Sequence, residues 1–374
     1  MRTAVIAIVV VAIEANLGFA QKMTYEEAKR AIPQQPLPAF WITDLPALSA
    51  RWAALKHGQS EVIAHSPGGR PLHLITFGTR EELPSDANFN SAIGGRQPSA
   101  YLDKEKRAKP VIFFVGPVHG QETEGLVGLV NLIHILETGR DLRDRERATL
   151  RGLAERCRLV ILPSGNPDGL ARFEPRTSRG MTIAESEFWG MGTWADGTIA
   201  MWPASKRLHP FVGPRVGFRG CYFNDRGVNP MHDEFFAPMG TEAPAILAVA
   251  RREGPDFAVS LHSHANGPEV LRPAYVPLEI QEETKSVAEC FYALLEQAGL
   301  PTRKPFTSSP ESGNPPPSFN LVSALYHTSG ATAFTFESPR GVIDEKACHV
   351  DFDQMLDIHL LLCQAVLQHA LDER

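Results

Sequence analysis

The chain predicts an α/β fold with a mixed, mostly parallel sheet and helices on both faces. Short apolar runs at Leu72–Phe77, Val111–Val115, Leu159–Pro163, Phe257–Leu261 and Ala333–Phe336 have the length and residue content of buried strands. Longer stretches with helical period lie between and after them, at Glu122–Leu136, Glu242–Arg252, Glu282–Ala298 and Phe352–Leu371. Such alternation is how a sheet covered on both faces is encoded. With 374 residues, 43% of them hydrophobic, the chain has enough apolar material for one large domain or two small ones.

At the N-terminus, Met1-Arg2, the apolar run Ala4–Ile13 and the segment Leu17-Gly18-Phe19-Ala20-Gln21 have the layout of a secretory signal cleaved after Ala20. The run is about half of the ~20 residues that a spanning helix needs, and Glu14 interrupts it. The expectation is export, secreted or periplasmic, with no stable membrane span after cleavage; an uncleaved anchor is the competing reading. Residues 21–60 then read as a helical and Pro-rich segment, with a helix at Tyr25–Ala31 broken by Pro33–Pro38. Residues 61–374 form the expected catalytic domain.

Within that domain the strand ends carry the chemistry. Val111–Val115 runs into His119-Gly120-Gln121-Glu122, a histidine and a carboxylate three residues apart. Phe257–Leu261 ends in His262-Ser263-His264. A catalytic zinc takes three protein ligands and keeps a fourth position for water, so His119, Glu122 and His262 suffice for one Zn2+ per chain. Two imidazoles and one carboxylate form a nitrogen-rich site that favours zinc over magnesium or calcium. Residues two apart on a strand share a face, so spacing alone does not separate His264 from His262. The run Thr332–Phe336 ends in Glu337, a carboxylate able to take a proton from water and return it to a leaving amine.

In their order along the chain, His119-Gly120-Gln121-Glu122, Asn166-Pro167-Asp168-Gly169, Leu261-His262-Ser263-His264 and Phe334-Thr335-Phe336-Glu337 resemble the motifs of the zinc carboxypeptidase family. The resemblance spans roughly residues 60 to 370, since Ile63–Pro71 also looks like that family's opening hairpin. It implies a phosphorylase/hydrolase-like architecture, a metallopeptidase activity on peptide or amide bonds, zinc on His119, Glu122 and His262, and Glu337 as general base. It favours His262 over His264. It further implies a carbonyl-polarising arginine between the second and third motifs, where Arg172, Arg176, Arg179 and Arg207 stand. Arg207 is preferred, because Met201–Arg207 loosely resembles the family's Trp-basic run.

Two departures concern substrate choice. Where the family places the Asn-Arg pair that clamps a peptide's terminal carboxylate, Gly227-Val228-Asn229-Pro230-Met231-His232-Asp233 offers Met231 and His232. A methionine and a mostly neutral imidazole do not replace a two-pronged guanidinium. His232 and the nearby Arg226 are the candidate substrate-binding residues. The family's substrate-contacting tyrosine has no counterpart in Pro315–Phe319, so none is assigned.

The formal charge of −6 gives no electrostatic footprint for nucleic acid. Five cysteines, at 157, 221, 290, 348 and 363, have no C-x-x-C pair and permit no disulfide assignment. Ser85–Pro110, Arg172–Gly220 and Ser308–Ser318 read as loops around a cleft, the second as a wall carrying Trp189, Trp194 and Trp202. The missing Asn-Arg pair makes an amidohydrolase or deacylase of N-acyl amino acids or modified peptides the alternative enzyme. A silent zinc-binding recognition module is the alternative outside catalysis, and Glu337 argues against it.

Overall fold

The computed structural model describes residues 21–202, 205, 208–313 and 316–373. The expected signal segment and its cleavage point lie outside these residues, as does Arg207. The strands in chain order are β1 (Gln59–His65), β2 (Pro71–Phe77), β3 (Val111–Val115), β4 (Arg158–Leu162), β5 (Gly192–Trp194), β6 (Val216–Arg219), β7 (Phe257–His264), β8 (Glu269–Val270) and β9 (Thr332–Pro339). Among the described residues the main sheet has seven strands in the order β1-β2-β4-β3-β7-β9-β8. The inner strands β4, β3, β7 and β9 run parallel, while the outer pairs are antiparallel. β1 and β2 form the expected hairpin, pairing His65 with Pro71 across a turn in which Gly69 takes a φ of 76°.

The helices are α1 (Tyr25–Arg30), α2 (Leu45–Ala53), α3 (Phe89–Gly94), α4 (Thr123–Thr138), α5 (Ala148–Glu155), α6 (Pro167–Arg172), α7 (Ile183–Met191), α8 (Glu242–Glu253), α9 (Leu278–Gln297), α10 (Leu321–Ser329) and α11 (Phe352–Asp372). Alternation along the strands divides the core in two. Ile112 and Phe114 of β3 face a layer built from α4, α5, α9 and α11, while Val111, Phe113 and Val115 face α3, α8 and α10. With apolar contacts on both faces, β3 and β4 are buried throughout, which is why they read as unbroken apolar runs.

This topology explains where a site can form. The connection from β3 to β4 carries α4 and α5 on one face, and the next connection, from β4 to β7, carries α8 on the other. The chain thus leaves β3 to one side and returns to its other side. The strand order reverses between β3 and β7, and open α/β sheets have their crevice at the carboxyl ends of such a pair.

Two of the three expected loops contain more structure than their polar, glycine-rich sequences indicate. Ser85–Pro110 holds α3, and Arg172–Gly220 holds α7 and the β5–β6 ribbon. Trp189 is fully buried in a small core with Phe173 and Phe188, and Trp194 packs on Phe211, so neither is a cleft wall. The described part of Ser308–Ser318 has no regular structure. Residues 21–60 are more than a connector, since Phe40, Trp41, Leu48 and Trp52 enter the main core. All five cysteines are free, and no helix among the described residues is long and apolar enough to cross a membrane.

Candidate metal centre

His119 and Glu122 stand on the short turn between β3 and α4, with Glu122 at the helix N-cap, and His262 lies on β7 across the crevice. Their ligand atoms lie within 4.8 Å of one another, and the three side chains are buried. His119 Nδ1 is 3.1 Å from Glu122 Oε1, His262 Nδ1 is 2.9 Å from Glu122 Oε2, and the two Nδ1 atoms are 3.2 Å apart. Tetrahedral coordination with bonds of about 2.0–2.1 Å separates neighbouring ligand atoms by about 3.3 Å, so the spacing suits one zinc ion. The two imidazoles both turn Nδ1 inward. On the outer side, His262 Nε2 is 3.1 Å from Ser260 Oγ, two residues back on the same strand face, while His119 Nε2 is buried without a hydrogen-bond partner. His264 is not in the group; its Nε2 is 3.4 Å from Glu269.

The Asn-Pro-Asp-Gly segment builds the floor under this turn. Asn166 caps α6 by accepting from Gly169 N, and its amide donates to Val118 O at 3.1 Å and Cys221 O at 3.4 Å. Asp168 accepts from Ser66 Oγ, Gly68 N, Arg70 Nη1 and Asp225 N, tying the hairpin turn to the same floor. The backbones are so close that a β-carbon on Gly120 would lie 2.0 Å from the Gly169 carbonyl carbon. Above the turn, the Tyr222 ring stacks on His119 at 3.7 Å and an interplanar angle of 2°.

Glu337 sits on β9 in register with His262 on β7, so the parallel pairing places the carboxylate beside the ligand group. Burial raises the Glu337 carboxyl to about 7, with Glu122 adding to the rise and His262 and Arg340 opposing it. Burial also disfavours ionisation of Glu122, but His119 and His262 outweigh it and hold the carboxyl well below its usual range. His119 is pushed down by burial, whereas Glu122 raises His262 against the same effect. Behind the ligands lies Arg340, which sequence reasoning did not assign to the site. Its Nη2 donates to Ser263 O and stands 3.6 Å from Glu122 Oε1, and its Nη1 reaches Ser186 Oγ at 3.2 Å and Glu187 at 3.7 Å. Two more buried carboxyls, Glu124 and Glu187, are raised chiefly by burial, Glu124 to about 7.

A pocket of about 190 Å³ opens beside His119, lined by residues that include Trp202, His209, Tyr222, Asn229, His232 and Phe319. His232 therefore faces it, with Nδ1 3.3 Å from Ser318 Oγ, while Met231 is buried in the core. Arg226 is exposed on the preceding turn and is not among the lining residues. Of the arginines proposed to polarise a carbonyl, Arg172 is bound to Gly220 O, Phe223 O and Asp225, Arg179 stacks on Phe352, and Arg176 is 3.6 Å from Asp44. None of these partners belongs to the ligand group. Ser260 was readable from its strand spacing; Arg340, Tyr222 and Asn229 had no local signal.

Residues 57–205 match the family model for zinc carboxypeptidase. A metallo-carboxypeptidase from Burkholderia cenocepacia has a similar structure, with a TM-score of 0.53 at 16% identity over 88% of this chain and 68% of that one. A second structure, from Burkholderia mallei, gives a TM-score of 0.51 at 13% identity over 87% of this chain and 67% of that one. At these identities the likeness is one of fold. No curated protein matches the sequence significantly.

Proposed function

We propose that the chain is a divergent relative of the zinc carboxypeptidases and an exported hydrolase of peptide or amide bonds, with Glu337 as general base; the match of residues 57–205 to that family's model and the likeness of fold support this reading. The observation that carries this reading is the register pairing of Glu337 with His262, beside three converging ligands. Zinc held by His119, Glu122 and His262 supplies a Lewis acid that makes water a nucleophile at neutral pH and polarises a carbonyl.

The chain's own residues do the rest. Glu337, half-buried at the carboxyl end of β9, accepts the proton of the attacking water and returns it to the departing amine, which must leave neutral. His262 and Arg340 favour its ionised form and oppose the upward push of burial. Arg340 holds Ser263 O and Glu122 from behind, fixing the strand end and the ligand carboxylate together. The pocket beside His119 receives the group next to the scissile bond, and its aromatic walls suit a ring or apolar chain. Among the described residues no arginine lines the pocket, and an amidase acting on blocked or N-acyl substrates is the second reading. The N-terminal apolar segment supports export.

The test is a pair of variants. Glu337→Gln should reduce hydrolysis by about two to four orders of magnitude with zinc content unchanged. His119→Ala combined with Glu122→Ala should lose the metal. Glu337→Gln activity within a few-fold of wild type, or equal zinc in the double variant, would overturn the assignment.

A further inference from the structure

The geometry points to Tyr222 as a further catalytic residue: we propose that its phenol donates the hydrogen bond that stabilises the oxygen of the scissile carbonyl as negative charge builds on it. The inference rests on the hydrolase reading given above. Attack of water on an amide carbon forms a carbon–oxygen bond while the carbonyl π pair moves onto oxygen, and a pre-placed donor lowers that barrier.

Such a donor must stand at the ligand group and reach the open pocket. Of the arginines weighed from the sequence, Arg207 lies outside the described residues, and Arg172, Arg176 and Arg179 are held by partners away from the ligands. Arg340 is buried behind Glu122, bonded to Ser263 O and Ser186 Oγ. Among the pocket's polar groups, His209 Nε2 accepts from Asn229 N at 2.9 Å, and Ser205 Oγ is directed at the Met191 sulfur. Tyr222 differs from them. Its ring lies flat on a candidate ligand, it lines the pocket, and no described group hydrogen-bonds its hydroxyl.

Its placement is fixed from both sides. Tyr222 N donates to Gly190 O at 2.9 Å, and its carbonyl accepts from Asn166, the residue that supports the His119 turn. The charges of Glu122, Arg340 and Glu337 all act on the phenol, which places it within the field of the reacting groups. The hydroxyl stays protonated throughout; the water's proton goes to Glu337 and then to the leaving amine, so the step balances without a further acid.

Tyr222→Phe keeps the ring on His119 and removes only the donor. On N-acylated dipeptides with an aromatic second residue, kcat of the zinc-loaded variant should fall about a hundredfold, the scale of one lost oxyanion donor, with KM within about threefold. Zinc content and resistance to chelators should match wild type. Tyr222→Leu, which removes the stack as well, should also release zinc more readily. A Tyr222→Phe variant with kcat within threefold of wild type would overturn the inference, and so would a loss of kcat explained by lost zinc. If wild type is active and Glu337→Gln is dead while Tyr222→Phe is unchanged, this inference alone fails. Absence of zinc-dependent hydrolysis in wild type would sink both readings.

Discussion

Glu124 shows how far a single side chain beside this centre departs from ordinary solution behaviour. It follows Glu122 by two residues, both its carboxyl oxygens are buried without a hydrogen-bond partner, and burial raises it from 4.5 to about 7. Between those values the folded protein retains a proton that the unfolded chain has released. Stability therefore falls as pH rises through this window, by a total of about 3 kcal/mol. Glu124→Gln removes that penalty. The metal-free variant is expected to melt above metal-free wild type at pH 8, with the gap closing toward pH 4; a gap independent of pH would show that Glu124 does not titrate in this range. At this scale the ligands were legible because each follows a buried apolar run. Arg340 and Tyr222 were not, because their partners lie far away in sequence and no periodicity marks them.

The elements that sequence predicted best are uniformly buried strands and long helices. β3, β4, β7 and β9 emerge close to their expected bounds because strands covered on both faces must be apolar throughout. α4 and α11 emerge because long helices show their period clearly. The short helices α3 and α6, of six residues each, were missed. Helices this short are unstable alone and are held by tertiary contacts, so little periodicity survives in them; α1, equally short, was legible because Pro33–Pro38 marks where it must end. One close approach between elements makes a sharp prediction. Gly120→Ala would drive a β-carbon to 2.0 Å from the Gly169 carbonyl carbon, so the His119 turn must lift off α6. We expect a loss of more than about 2 kcal/mol in stability, measured by denaturant unfolding, together with weaker zinc retention. A variant as stable as wild type and fully metallated would show that the two backbones have room to separate.

At the scale of the whole molecule, the proposed hydrolase activity is tested by which end of a peptide the pocket takes. Met231 is buried in the core and His232 lines the pocket, so the family's two-pronged clamp is absent at these positions. A charge-assisted hydrogen bond contributes about 1.5–3 kcal/mol, roughly a ten- to 150-fold preference. Matched peptides with free and amidated C-termini should therefore be cleaved within about tenfold of each other. A preference for the free acid of a hundredfold or more would mean that another cation holds the carboxylate, Arg226 being the first to substitute, and ordinary carboxypeptidase specificity would follow.

Sequence by itself determined the strand-and-helix alternation, the residues closing each strand, and a donor set of two imidazoles and one carboxylate. These are legible because side-chain period and strand-end position are local properties of a chain. Only the tertiary structure decided that β3, β7 and β9 stand side by side, that His262 rather than His264 faces Glu122, and that Tyr222 and Arg340 close around the ligands. The reversal of strand order at β3 and β7, the β7–β9 register and the hydrogen bonds of Asn166 join segments dozens of residues apart. Such pairings arise from the packing of two apolar layers on one sheet, and no local pattern encodes them.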